Sequence, residues 1–328
     1  MIGQRVIIIG AGIAGLRCAT VLNEAGLEVT LLDKARGPGG RCSTRRHEGF
    51  RFDHGAQYFT PRSPEFRRQL DEWLKQGVAA RWEGRLVTID AAGGRVPLSD
   101  GRERFVGVSG MNGIPKAMAA GLDCRLGNRV VSLQRTQRVW RIKTDGDDAY
   151  EAELLVMTPP PPQTAELLTD VQPNLAAEVS QVVMQPGWAL MLGFANNPVE
   201  GFDGAMVADR SIAWMASSRG KAGREGCHTW MVHASAPYSE QHLEAPADAV
   251  GAELFAEFCR LTNQRAAPVE TVVHRWRYAM AAEPLGLDML AERASGLWIA
   301  GDWCVDSRIE GAWRSGQAAA EDLLATVR

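Results

Sequence analysis

Gly10-Ala-Gly12-Ile-Ala-Gly15 sets three glycines at a spacing suited to holding a pyrophosphate. The first permits a tight turn, the second lets the phosphates approach the backbone, and the third lets a helix pack closely on the preceding strand. The N-terminus of that helix offers unpaired N–H groups and a positive dipole to the phosphates. Asp33 follows Gly15 by 18 residues, where a carboxylate accepts from an adenosine ribose hydroxyl. Lys34 and the run Gly39-Gly40-Arg41 come next. A glycine doublet lets backbone come close to a ligand, and Arg41 neutralises phosphate or supports the ribityl chain. The first glycine motif alone does not separate FAD from NAD; the doublet and Arg41, just beyond the acid, favour FAD.

These residues need a strand–turn–helix–strand unit to hold them. Val6–Ile9 is apolar on both faces, as in a central parallel strand. Leu16–Ala25 has helical spacing and ends at Gly26, and Glu28–Leu32 is the second strand. Helices are expected from Ser63-Pro64 to Leu74, over Ile114–Ala120 (after Asn112), near Asp248–Leu261 and over Gly316–Thr326. Strands are expected at Arg85–Ile89, Arg129–Leu133, Leu154–Met157, Ala189–Phe194, Ala213–Ala216, Thr229–Ala234, Thr271–Arg275 and Leu297–Ala300. Pro159–Pro162 reads as a stiff, extended crossing between domains. The chain thus leaves a first domain, builds a second and returns to finish the first.

Bulk properties narrow the partners. The chain has 328 residues, enough for two cores, with 45% hydrophobic and 23% charged residues. A net charge of -3 and a pI near 6.1 give no case for binding nucleic acid or an anionic membrane. Six cysteines lack any C-x-x-C pair or metal-ligand cluster, as expected of reduced thiols in a cytoplasmic protein without a metal. Val6–Ile9 is too short for a signal peptide, and no run reaches the ~18 apolar residues of a membrane span.

The N-terminal block resembles the flavin-containing amine oxidase superfamily. The far end agrees: Leu297-Trp-Ile-Ala-Gly301-Asp302, then Glu310-Gly311-Ala312-x-x-Ser315-Gly316-x-Ala318-Ala319. The resemblance implies an α/β fold, with a Rossmann-like FAD-binding domain and a second, mostly antiparallel β-sheet substrate domain. Residues 1–61, 104–160 and 288–328 would form the first, and 62–103 and 161–287 the second. It implies non-covalent FAD, with Asp302 on the pyrophosphate or ribityl chain and the following helix aimed at the flavin pyrimidine. Val130 would bond the adenine through its backbone, and Ile309 would offer its N–H near flavin O2. Asp33 stands where many members have glutamate, which keeps the chemistry.

Three segments are similar to the renalase branch: Phe52-Asp-His-Gly55-Ala-Gln57-Tyr58-Phe59-Thr60, Trp230-Met-Val-His233-Ala-Ser, and His274-Arg-Trp276-Arg-Tyr278-Ala. By that likeness Gln57 lies beside the flavin, and Gln57, Tyr58 and Phe59 face the substrate. Gln185 is a second polar anchor and Trp303 a cavity wall. Packing alone also accounts for His233, Trp276 and Tyr278, and local backbone satisfaction for Gln57. Arg308 occupies the position of a cage tyrosine in monoamine oxidases, and a cation there repels an ammonium. The branch oxidises 2- and 6-dihydro isomers of NAD(P), with O2 as acceptor and hydrogen peroxide as product. The alternatives are an amine oxidase or desaturase on the same fold, or a binder without redox chemistry.

Overall fold

The apolar N-terminal run becomes the middle of a sheet. In the computed structural model, which describes residues 4–146 and 148–327, Arg5–Ile9 pairs in parallel with Glu28–Asp33 on one side and Leu154–Met157 on the other. The full order is Leu290–Glu292, Leu297–Ile299, Leu154–Met157, Arg5–Ile9, Glu28–Asp33, Asp123–Leu126, parallel except at the Leu290–Glu292 edge. Both faces are covered, which is why the central strands read as continuous apolar runs. Helices Ile13–Glu24 and Ile309–Val327 cover one face through Leu16, Leu22, Ala319 and Leu323. The hairpin sheet Val130–Thr136, Val139–Thr144, Ala149–Ala152 and helices Pro161–Leu168 and Pro173–Ser180 cover the other, through Trp140, Ile142, Leu168 and Val179.

A second sheet runs Glu270–Ala281, Met184–Gly193, Thr229–Ala234, Ile212–Ser217, Gly204–Val207, Leu86–Ile89, Arg95–Pro97. It is antiparallel except where Gly204–Val207 meets Leu86–Ile89. Period-two alternation sends Leu190, Trp230 and Val232 to helix Ala247–Thr262, where Leu254 and Phe258 receive them. Ala189, Met191 and Met231 face the other way, onto Phe52.

Helix Pro64–Lys75 starts as its sequence suggests, with Ser63 Oγ accepting from Phe66 N at 3.2 Å and proline in the first turn. Two expectations need correction. Pro159–Pro162 is not an extended crossing throughout: Pro161 begins a helix, and the N–H groups of Gln163 and Thr164 both return to Pro160 O. Proline lacks only an N–H that the first turn would leave unpaired. The terminal helix begins at Ile309, not at Gly316. Gly316 is a contact point inside it, where a Cβ would stand 2.1 Å from Ala14 O. No helix among the described residues is long and apolar enough to cross a membrane.

Candidate active site

Gly10 turns the chain at φ 105°, and a Cβ there would meet Thr158 Oγ1 at 2.4 Å. Gly15 presses the helix onto the turn, its Cβ position 2.0 Å from Gly10 O. Gly12 differs. It caps helix Ile13–Glu24 without a side-chain bond, no acid occupies the first turn, and a Cβ would find nothing within 4 Å among the described residues. Gly39 N donates to Ala11 O at 2.8 Å, and Gly40 brings its Cβ position to 3.8 Å from Gly12 Cα. The doublet therefore folds over the open helix end, a cradle fitted to a pyrophosphate.

Asp33 closes the cradle. Its Oδ2 accepts from Ala11 N and its Oδ1 from Ala35 N, each at 2.7 Å. A carboxylate keeps further lone pairs, so Asp33 could still accept from a hydroxyl. Asn128 N donates to Asp33 O at 2.9 Å, which brings Val130, the first residue of its strand, to the same end. Lys34 turns outward, its Nζ 3.1 Å from Gln163 Oε1.

Arg41 and Asp302, each read separately as a cofactor contact, bind each other. Nη1 meets Asp302 Oδ2 at 2.9 Å and Ala279 O at 3.0 Å, and Nη2 meets Asp302 Oδ1 at 2.5 Å. Trp303 is not a cavity wall: it is 1% exposed, packs in the core of the first domain and donates Nε1–H to Pro159 O. Burial pushes the neighbouring Cys304 thiol up to about 12, so it is protonated at neutral pH. At the start of the terminal helix, Glu310 accepts from Arg62 N at 2.7 Å and Ser63 N at 2.8 Å, fixing the turn that contains Ile309. Arg308 is exposed and pairs with Asp306 at 3.1 Å.

The 52–60 loop lies directly on Arg41. A Cβ on Gly55 would stand 2.0 Å from Arg41 O, to which Ala56 N donates at 2.9 Å. Buried Asp53 anchors the loop, accepting from Thr44 Oγ1 (2.6 Å), Met111 N (2.9 Å) and Arg224 Nη2 (2.6 Å). Gln57 is buried; its Nε2 donates to Asp53 O, and its Oε1 accepts from Lys221 Nζ at 3.1 Å. The second amide N–H makes no hydrogen bond among the described residues. Tyr58 joins Trp214 (ring centroids 5.3 Å) and Trp82 (6.0 Å). Phe59 departs from its expected role, since its ring is buried among Phe66, Trp73 and Phe105. Gln185 sits at a bulge opposite Met280, and no hydrogen bond among the described residues joins it to Gln57.

Two cations of this region escaped the sequence reading. Lys221 lies 5.0 Å from the Trp82 ring centre, and Arg104 lies 5.3 Å from that of Tyr58. His54 stacks on Trp276 at 5.0 Å, whose Nε1 donates to His54 O at 2.8 Å, and His274 meets both rings edge-on. Burial, reinforced by nearby positive charge, lowers His54 and His233 to about 4, so both are neutral at pH 7. The signal in the sequence was Arg219-Gly-Lys221-Ala-Gly-Arg224, a glycine-broken basic run that reads like an ordinary solvated loop. A separate groove of about 760 Å³, lined by Arg17, Gln69, Trp313 and Gln317, lies between helices away from all of these residues. No group of three or more potential metal ligands occurs among the described residues.

A glycine cradle on a parallel sheet, closed by the terminal helix and faced by a second sheet, defines a dinucleotide-binding oxidoreductase fold. A family model for NAD(P)-binding Rossmann-like domains matches residues 8–73, and one for flavin-containing amine oxidoreductases matches residues 67–324. The chain belongs to the flavin-containing amine oxidoreductase family, and it is an FAD-dependent enzyme. Mouse (Mus musculus) renalase is 25% identical over 84% of this chain and 85% of its own length, which fits a renalase-like branch. A zeta-carotene-forming phytoene desaturase of Myxococcus xanthus is 42% identical over 53 residues, 16% of this chain and 10% of that protein. Cyclohexylamine oxidase from Brevibacterium oxydans shares the fold with a TM-score of 0.79 at 13% identity, over 99% of both chains. Putrescine oxidase bound to putrescine does so with a TM-score of 0.73 at 16% identity, over 98% of this chain and 99% of its own.

Proposed function

We propose that this enzyme oxidises 2- and 6-dihydro isomers of NAD(P), a substrate class rather than simple amines. The observation that carries this reading is the charge on the aromatic faces beside Gln57. An aromatic face can attract a substrate ammonium, but here Lys221 already lies over Trp82 and Arg104 over Tyr58. A substrate ammonium about 5 Å from Lys221, which has no carboxylate partner among the described residues, would meet a repulsion of about 3 kcal/mol at an effective dielectric near 20, whereas Arg104 is offset by Asp100. A dihydronicotinamide ring is neutral, and its nucleotide phosphates are anionic.

Residues 1–61, 104–160 and 288–328 hold non-covalent FAD in this reading, and residues 62–103 and 161–287 form the substrate side. Gly10, Gly12, Gly15, Gly40 and Asp33 carry the adenine half, with Val130 at the base. Asp302, oriented by Arg41, and the Ile309 N–H serve the flavin half. Bound FAD supplies hydride acceptance and returns the electrons to O2, giving hydrogen peroxide. The chain's own work is positioning: the free Gln57 amide N–H meets the carboxamide, Tyr58 flanks the ring, and no base is required because hydride loss leaves an aromatic pyridinium.

A mixture of isomers made by chemical reduction of NAD+ tests this. Under anaerobic conditions it should bleach the flavin rapidly, NADH slowly and benzylamine hardly at all. Fast bleaching by an amine with no response to the isomers would overturn the assignment.

A further inference from the structure

The 218–228 segment joins strands Ile212–Ser217 and Thr229–Ala234 of the second sheet, and it reaches across to the first domain. Gly220, Gly223 and Gly226 each take φ near +70°, at 74°, 70° and 71°. Ser109 N donates to Ala222 O at 2.9 Å, and a Cβ on Gly223 would stand 2.5 Å from Ser109 Oγ. The segment is pinned there, and it buries two cations, Lys221 at 6% and Arg224 at 5% exposure.

The two cations are not equally matched. Arg224 has the Asp53 carboxylate at 2.6 Å and Arg51 O at 3.0 Å. Among the described residues Lys221 has only the Gln57 backbone O at 3.2 Å, Gln57 Oε1 at 3.1 Å and the face of Trp82. The charged and titratable groups that act on it are Asp53 from the facing loop and Arg224 from its own, while His233 from the neighbouring strand feels its charge. Asp53 already serves Arg224, Thr44 and Met111. The nearby Arg104–Asp100 and Arg41–Asp302 pairs are each balanced. Beneath Gln57 there remains one buried positive charge without a carboxylate of its own among the described residues.

A buried charge is costly unless an opposite charge answers it. Lys221 holds Gln57, and Gly55 and Ala56, just before it in the same loop, lie on the Arg41 carbonyl beside the cofactor motif. We propose that Lys221 is a positioning residue and counter-charge, holding Gln57 from behind and, across it, favouring the anionic two-electron-reduced state of the bound flavin. The proposal rests on the FAD-site reading above. Burial lowers the Lys221 ammonium to about 8 in the protein alone, as a cation waiting for an anion would be.

The test compares wild-type holoenzyme with Lys221→Met, Lys221→Gln and Lys221→Arg at pH 7, reading FAD content, midpoint potential and the affinity of the flavin for sulfite. Removing the charge should shift the reduction equilibrium about tenfold toward the oxidised form, about 30 mV lower for a two-electron couple. Sulfite binding should weaken by about the same factor, and Lys221→Arg should recover most of both. Lys221→Gln keeps a donor to Gln57 without the charge, so it carries the test should Lys221→Met not fold. Wild-type potential and sulfite affinity in a charge-free, FAD-loaded variant would overturn the proposal. Those readouts leave the substrate reading standing, whereas wild-type flavin that the dihydro isomers do not reduce would sink that reading alone.

Discussion

Arg41 and Asp302 lie 261 positions apart in the chain and close on each other as a two-pronged ion pair, with Asp302 buried. Arg41 leaves the glycine doublet and Asp302 opens the returning segment, so one contact joins the segments that follow strands Glu28–Asp33 and Leu297–Ile299. The Arg41 carbonyl holds Ala56 N, so the pair also supports the Gln57 loop.

The pair should behave as a unit. Arg41→Ala leaves Asp302 buried without its cation, so it should destabilise the protein and weaken FAD retention, as should Asp302→Ala. In a double-mutant cycle the two should couple by about 1–3 kcal/mol. Strict additivity in urea unfolding would mean that the pair contributes no coupling of its own.

Gly12 and Gly15 should separate ligand binding from folding. Gly12 has φ -78° and open space where a Cβ would go, so Gly12→Ala should fold with wild-type stability. The added methyl enters the space proposed for the pyrophosphate, and FAD affinity should fall at least about tenfold, or about 1.4 kcal/mol. Gly15→Ala instead drives a methyl against Gly10 O and should cost about 1–3 kcal/mol of stability even without FAD. Unchanged FAD affinity in Gly12→Ala would place the phosphates elsewhere.

Asp33→Ala should weaken FAD binding by roughly 1.5–3 kcal/mol through loss of a charged acceptor. The carboxylate also holds Ala11 N, so the glycine turn of the apoprotein should loosen, with faster amide exchange at Ala11. FAD affinity at wild-type level would show that Asp33 serves the turn and not the ribose.

His54 and His233 should make the protein acid-sensitive. Both have folded-state values near 4, below an unfolded value near 6.5. The unfolded chain therefore binds more protons between these values, so stability is fully present above pH 6.5 and is lost as pH falls toward 4. Each histidine contributes at most about 3 kcal/mol across that window. Urea midpoints at pH 7, 6 and 5 should fall in that order, and His54→Phe should flatten part of the slope. Equal midpoints would show that neither ring is buried neutral.

Local rules account for much of what the amino-acid order determined. The Gly10–Gly15 turn, the strands around it, the acid at the end of the second strand and the proline-started helix at Pro64 all follow from short-range backbone geometry and apolar periodicity. The Gly301-Asp302 motif was legible only through the resemblance to a known family, not from local geometry. What lay beyond that reading depended on contacts between distant segments. Pro161 is helical because the following N–H groups find Pro160 O, and Gly316 marks a helix crossing, visible only once Ala14 is in place. Phe59 and Trp303 look identical in sequence to cavity aromatics, and only packing put both in the core. Lys221 is the clearest case: an ordinary basic loop residue by composition, it is dehydrated by the fold, set under Gln57 and left without a carboxylate of its own among the described residues. Charge balance in a low-dielectric interior is a property of which groups meet in space, and the tertiary structure alone decides that.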